Sequence, residues 1–339
     1  MEESGPRSSA PSSVPTVVTA GQTPRRSEPA LTILDPAYAA SLATIPDGQA
    51  KIDGVAVGEE VAALLIAQRA DDGFRAPVTY TPPNPPIPGV WIPTSPPPAS
   101  PVGTYLGLMR PFSLDSADQF RPNGPPALSS KRWARDYNEV KEIGSSTSTT
   151  RTPEQTVAAR FWAEPPVQQA HGALRKFVLD HGLDVVDASR FMAMVSVTFA
   201  DALIACFDAK YHYAFWRPIT AIRAGDMDGN DATVGDPAWS PLLATPNHPE
   251  YPSAHACATP ASGRVIARFL DTDHIDYTVP SLTGLGDRHF DQVKDLEYDV
   301  NNARIWSGIH YRFSVEDGTV IGMKTADQVL AHHFHRSNQ

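Results

Sequence analysis

Cysteine is nearly missing. Cys206 and Cys257 are the two thiols in 339 residues, too few for a disulfide scaffold, and both read as ordinary thiols on apolar helix faces. No uninterrupted apolar run approaches the roughly 18 residues of a membrane span, so a soluble protein without a span is expected. Basic residues are outnumbered, with Lys+Arg 28 against Asp+Glu 38 and a formal charge of -10. That balance argues against nucleic acid, whose phosphates call for a clustered basic face. The first thirty residues have no continuous apolar core but much Ser, Pro and Thr. They read as a disordered tail over 1–30 without an export signal. No convincing alternation of apolar and polar residues occurs, which argues against a sandwich or barrel and leaves helices.

Hydrophobic residues make up 41% of the chain, enough for a packed core. The expected architecture is all-α, a helical bundle with a long proline-rich excursion. Residues 31–128 would hold N-terminal helices and the wrapping segment, and 129–336 the helical catalytic domain. Helical spacing covers 33–45 and then Val55 to Arg69, with Val57, Val61, Leu64 and Leu65 on one side. Prolines fix φ and remove donors through 73–128, an extended stretch for which Trp91 is the natural anchor. Further helices are expected from Ser129 to Gly144 and from a Thr152–Gln155 capping box to about Glu164. Others should run over Val167 to His181, Val185 to Tyr213, Ser253 to Leu270, Asp287 to Trp306 and, capped by Ser314, to His333. Pro260 either kinks its helix, at a cost of about 3 kcal/mol, or opens a second one with Thr259. The loop bearing Asp226, Asp228, Asn230 and Asp231 imitates a calcium loop. It reads as a solvated turn, since position twelve is Pro237. His212, His332, His333 and His335 read as helix-end histidines rather than a metal site.

Three segments carry the chemistry. Lys210 and Arg217 stand seven apart, close to two turns if the helix continues, among Tyr211, Tyr213, Phe215 and Trp216. Cations in so aromatic a stretch need an anion. Pro252-Ser253-Ala254-His255 places a hydroxyl and free amides at a helix start, with an imidazole one step on. Arg304 and His310, six apart, converge only if their helix breaks, and Gly308 offers the break. Three cations, a hydroxyl and two imidazoles suit a tetrahedral oxyanion.

Lys-x6-Arg-Pro, Pro-Ser-x-His and Arg-x5-His in this order resemble the vanadium-dependent haloperoxidases and the type 2 phosphatidic acid phosphatase superfamily. The likeness runs from about Ala30 to His335 and includes PPALSSKRWARDYNEVKEIG. It implies an all-helical fold around one vanadate, with phosphate able to occupy the same place. Lys210, Arg217, Ser253, the amide of Ala254 and Arg304 would hold equatorial oxygens. His310 would be the axial ligand, or the nucleophile of a phosphatase, and His255 the acid or base. Lys210 would polarise bound peroxide. His248 and Phe207 would line the halide and substrate pocket, with His248 pointing to bromide over chloride. Partners would be hydrogen peroxide, halide and a small organic substrate, with homo-oligomers a possible assembly. The alternatives are a phosphatase acting through a phosphohistidine and a non-catalytic oxyanion-binding relative.

The sequence departs from the family pattern in four ways. Ala254 replaces a glycine. Ser314 stands where many members have an Asp that orients the axial histidine, leaving Glu316 or Asp317 as substitutes. The front end is shorter than the resemblance implies. Relatives are often exported, whereas no leader is evident.

Overall fold

Backbone chemistry sets the element boundaries in the computed structural model, which describes residues 28–95 and 100–334. The tail expected over 1–30 and His335 fall wholly or mostly outside that range. The helices are α1 (Glu28–Ala43), α2 (Gln49–Gln68), α3 (Lys131–Ile143), α4 (Pro153–Phe161), α5 (Pro166–Asp180), α6 (Val185–Tyr213), α7 (Pro218–Arg223) and α8 (Ala254–Leu270). A hairpin of β1 (His274–Val279) and β2 (Arg288–Gln292) follows, then α9 (Val293–Trp306) and α10 (Arg312–His332). The chain is mostly helical, as expected.

It divides into two units, Met1–Asp72 with Leu183–Ser189, and Gly73–Gly182 with Arg190–Gln339. In the first, α2 buries no side chain, and Val57, Val61, Leu64 and Leu65 are exposed.

The second unit holds the core. Trp133, Tyr137, Trp216, Tyr251, Tyr311 and Phe313 form a buried aromatic cluster. Helix α10 lies against α8, and Gly322 permits the approach, since a side chain there would collide with the Cys257 carbonyl. Pro260 sits inside one continuous α8 and has no N–H for the Ala256 carbonyl, so no second helix starts at Thr259. Cys206 and Cys257 are free and buried.

The N-terminal caps behave as sequence chemistry dictates. Ser130 accepts from the Trp133 amide at 3.1 Å, and Thr152 with Gln155 forms a reciprocal box. The cap expected at Ser314 is absent. Tyr311 caps α10 instead, and Ser314 lies buried inside the helix.

Two more expectations need correction. The helix expected from Asp287 starts at Val293, because Arg288–Gln292 pairs with His274–Val279, matching Tyr277 to Phe290. Ile275, Tyr277 and Val279 alternate inward, a period-two signal too short to stand out in the sequence. Helix α6 is long and apolar enough by length and composition to cross a membrane, although no run of that kind was expected; 56% of its apolar window is buried inside the protein, as in a core helix.

The proline-rich stretch braces rather than dangles. Trp91 is fully buried and its amide donates to Ala214 O at 2.6 Å, while Trp216 N donates to Gly89 O at 3.1 Å. Asn247 accepts from the Thr94 amide through its side chain at 3.1 Å and from the Val102 amide through its carbonyl at 2.8 Å. Arg121 forks onto Asp208 with two 2.7 Å bonds. The excursion thus fixes both segments that flank the cationic residues.

Candidate functional site

Helix α6 ends at Tyr213, and Ala214 takes a positive φ of 43°. Lys210 is therefore the last-turn residue of α6, and Arg217 caps α7 with extended backbone. The two cations meet from separate elements, not along one continuous helix. Lys210 is fully buried, and its Nζ donates to the carbonyls of Pro249 and Glu250, both at 2.9 Å. An ammonium has three donors, so one is left over. Arg217, also fully buried, donates Nε–H to His248 O and one Nη–H to Ile309 O, each at 2.9 Å.

Gly308 breaks the chain after α9, as the spacing of Arg304 and His310 requires. Its φ is 78°, and a side chain there would run into the Gly144 carbonyl. The break brings His310 back to Arg217, whose Nη lies 3.2 Å from His310 Nε2. A guanidinium can only donate, so Nε2 is the acceptor and the ring proton sits on Nδ1. That proton points at Glu250 Oε1, 2.8 Å away, which also accepts from the Tyr311 amide at 3.1 Å.

Glu250 was missed in the sequence. The substitutes expected for the missing carboxylate are engaged elsewhere, Asp317 with the Tyr251 hydroxyl at 2.6 Å and Glu316 with Arg132 at 2.9 Å. A signal existed: Glu250 stands three residues before Ser253, an acid placed between two prolines in front of the helix start.

Arg304 donates one Nη–H to Trp162 O at 2.6 Å. Ser253 begins α8, but its own amide is taken by Ser314 O at 3.1 Å. Only the amides that follow, from Ala254 on, belong to the open first turn. Among the described residues Ser253 Oγ, His255 Nε2 and Arg304 Nε are buried without a hydrogen-bond partner. Buried polar atoms are rarely left so, and His255 and Arg304 line the same cavity, which marks it as a place for a ligand.

Electrostatics agree. Burial is the largest influence on each cation, pulling Lys210 down to about 8, Arg217 to about 10 and Arg304 to about 9, so all three stay charged at neutral pH. Burial and the neighbouring cations hold His248, His255 and His310 well below the ordinary histidine value. All three rings are neutral near pH 7. Glu250 is pushed up by burial to about 7 against the pull of Arg217 and Lys210. Three cations thus face one half-ionised carboxylate, an imbalance that an anion would correct.

A cavity of about 380 Å³ is lined by Phe207, His248, Ala254, His255, Arg304 and His310 among others. The Phe207 ring lies 5.3 Å from the His248 ring and 5.9 Å from the Lys210 ammonium. An Arg217 Nη is 3.0 Å from His248 Nδ1. Lys210 and Arg217 thus stand against residues that line this cavity, whereas Ser253 is not among the lining residues. His212 and the α10 histidines are not among them either.

Fold and site define a class of protein: a helical bundle that gathers buried cations, neutral imidazoles and a helix start around a hollow short of negative charge. Comparison with known proteins makes the class specific. The family described as the VCPO second helical-bundle domain matches residues 190–339. The vanadium chloroperoxidase of Curvularia inaequalis is 24% identical over 342 residues, covering 76% of this chain and 56% of its own length. The chain thus spans little more than half of that curated relative. A solved structure described as the first bacterial vanadium-dependent iodoperoxidase has a TM-score of 0.72 at 28% identity, over 84% of this chain and 70% of that one. A holo-type bacterial vanadium-dependent chloroperoxidase gives 0.66 at 18% identity, over 83% and 72%, a likeness of fold alone. Over residues 190–339, and in fold over most of its length, the chain is similar to the vanadium haloperoxidases.

Proposed function

We propose that the chain is a vanadate-dependent haloperoxidase that uses hydrogen peroxide to oxidise bromide or iodide in preference to chloride. One observation carries the reading: His255 and Arg304 line one cationic hollow with His255 Nε2 and Arg304 Nε buried and unpartnered, and Ser253 Oγ, two residues before His255, is likewise unpartnered. This donor set fits a small tetraoxo anion. Lys210, Arg217, Arg304, the Ser253 hydroxyl and the Ala254 amide would hold its oxygens, and His310 Nε2 would be its protein ligand. Vanadate bound there supplies a Lewis-acid centre that activates peroxide toward halide.

The residues do the rest. Charge-assisted hydrogen bonds of about 1.5–3 kcal/mol each hold the anion and spread its charge. The Glu250 carboxylate keeps the His310 proton on Nδ1, so the Nε2 lone pair stays directed inward. His255, neutral and with a free Nε2, can take a proton from peroxide. His248 beside Phe207, together with the iodoperoxidase likeness, supports the heavier halides.

A lone pair fixed on His310 Nε2 would equally serve a phosphatase acting through a phosphohistidine. Purified protein supplied with vanadate, peroxide and bromide or iodide is expected to halogenate a phenol, and His310→Ala to lower that rate on the order of 10³-fold. No halogenation, with p-nitrophenyl phosphate hydrolysis that depends on His310, would replace the peroxidase reading with the phosphatase one.

A further inference from the structure

The two thiols sit among the residues of the anion site and share a hydrogen bond. Cys206 is on α6 one turn before Lys210, and Cys257 is on α8 two residues after His255. Both are fully buried, in one cluster with Leu114, Ala205 and Ile321. The Cys257 S–H donates to Cys206 Sγ, and Cys206 in turn donates to the Pro252 carbonyl at 3.7 Å, just ahead of Ser253. A methyl added at Gly318 would come within 3.4 Å of Cys257 Sγ, so α10 closes round that sulfur. The chain between the two thiols carries Lys210, Arg217, His248, Glu250, Ser253 and His255.

The pair is unequal. Burial pushes both thiols up, but in Cys206 the hydrogen bond from Cys257 and the Lys210 charge outweigh it and leave the thiol below its ordinary value, while Cys257 ends well above. Cys206 is therefore the better nucleophile, and Cys257 keeps its proton until a sulfur partner is presented to it. Leu203 and Phe207 of α6 and Ala254 and Ala258 of α8 line the cavity of about 380 Å³, so the helices that carry the thiols form part of its wall. That volume is many times the ~30 Å³ that a water occupies in the liquid, and hydrogen peroxide is little larger than water.

We propose that Cys206 and Cys257 are a peroxide-operated pair, which hydrogen peroxide closes to a disulfide and added thiol reopens, and which keeps Cys206 from being oxidised further beside Lys210. The Cys206 thiolate attacks one peroxide oxygen and the O–O bond breaks. The departing hydroxide takes up the proton that Cys206 gave, leaving a sulfenic acid and one water. The Cys257 sulfur then attacks the Cys206 sulfur, forming an S–S bond of about 2.05 Å as the S–O bond breaks. That hydroxide leaves with the Cys257 proton as the second water, so two thiols have given two electrons to one peroxide. Without Cys257 the sulfenic acid would go on to a sulfinate, an anion competing for the ammonium that serves the ligand. The haloperoxidase reading above brings peroxide to this cavity, but the thiol chemistry itself needs no vanadate.

The test treats full-length protein, without vanadate, with hydrogen peroxide and reads its intact mass before and after dithiothreitol. The wild type is expected to lose two hydrogens and regain them on reduction, and its digest to contain one peptide pair joined through Cys206 and Cys257. Cys257→Ala is expected to gain oxygen at Cys206 instead. Its tungstate affinity, read by thermal shift, should then fall at least about tenfold, while that of the oxidised wild type stays within about threefold. The wild-type measurement decides the matter even if Cys257→Ala fails to fold. Oxygen added to the wild-type thiols without a cross-link, or thiols still open to alkylation once peroxide has oxidised the methionines, overturns the inference. So does a folded Cys257→Ala whose tungstate affinity survives peroxide. Failure of the haloperoxidase reading looks different: the disulfide would still form, and neither bromide nor iodide would be oxidised.

Discussion

Two polar clusters are buried in the second unit, and they are built on opposite plans. In the acidic loop Asp228 accepts from Trp133 Nε1 at 2.7 Å, from Thr233 Oγ1 at 2.7 and 2.8 Å, and from the Asn230 amide at 2.9 Å. Asp226 takes the Gly235 amide at 3.1 Å. That loop looks like a cation site in the sequence, yet Asp226 and Asp228 accept from the protein itself. The cationic cluster is the reverse: its backbone contacts position Lys210, Arg217 and Arg304, while Ser253 Oγ, His255 Nε2 and Arg304 Nε stay unpartnered. A buried polar group that completes its own bonds stabilises the fold, and one left incomplete beside a hollow is reserved for a ligand.

That contrast can be broken by mutation. Asp228→Ala strands the Trp133 N–H, while the Thr233 hydroxyl keeps Asn230 O at 2.7 Å, so about 2 kcal/mol of stability should be lost in denaturant unfolding, with vanadate affinity unchanged. A variant that kept its stability and lost vanadate binding would reverse the roles assigned to the two clusters.

Arg304→Met should do the opposite. Removing a desolvated, under-bonded cation leaves anion-free stability within about 1 kcal/mol of wild type or above it. Anion affinity, read by thermal shift with tungstate, should fall by about 1.5–3 kcal/mol.

Glu250→Gln keeps the shape of the His310 contact but removes its charge, and vanadate affinity should drop about 10–100-fold. The variant also changes the pH profile. An acid held at about 7 in the folded protein, above its ordinary 4.5, binds protons better folded than unfolded. It therefore costs stability progressively as pH rises from about 4.5 to 7, and the variant should lose that part of the slope. A wild-type-minus-variant stability difference that is flat across this window would remove Glu250 from the buried position described here.

The smallest expected effect is on pH dependence of anion binding. Lys210, held at about 8 by burial, must be protonated to serve an anion. Tungstate affinity should be level below pH 8 and decline above it, by at most about tenfold per pH unit. Affinity independent of pH up to 10 would mean that Lys210 contributes no charge to the site.

Much of the site was legible beforehand because its parts are local. A hydroxyl before a helix, a glycine between Arg304 and His310, and cations among aromatics each carry their reason within a few residues. The capping box at Thr152 was legible for the same cause. What failed was long-range. Glu250 reaches His310 across 60 positions of sequence, so a search confined to the residues after His310 found only Glu316 and Asp317. Ser314 looked like a cap because its neighbours Glu316 and Asp317 are acidic, but α10 had already begun at Arg312. The hairpin escaped because β2 buries only Phe290 among polar neighbours, and its strand character comes from pairing with β1.

By itself the sequence determined a helical chain with three cation-bearing segments and the family they resemble, since helix periodicity, caps and motif spacing are written in neighbouring residues. Only the tertiary structure decided that Lys210 and Arg217 meet from different elements, that Glu250 fixes the His310 tautomer, and that the site opens into an apolar hollow. Those outcomes depend on which distant backbones pack together and on which buried donors the packing leaves unsatisfied, and no local pattern encodes either.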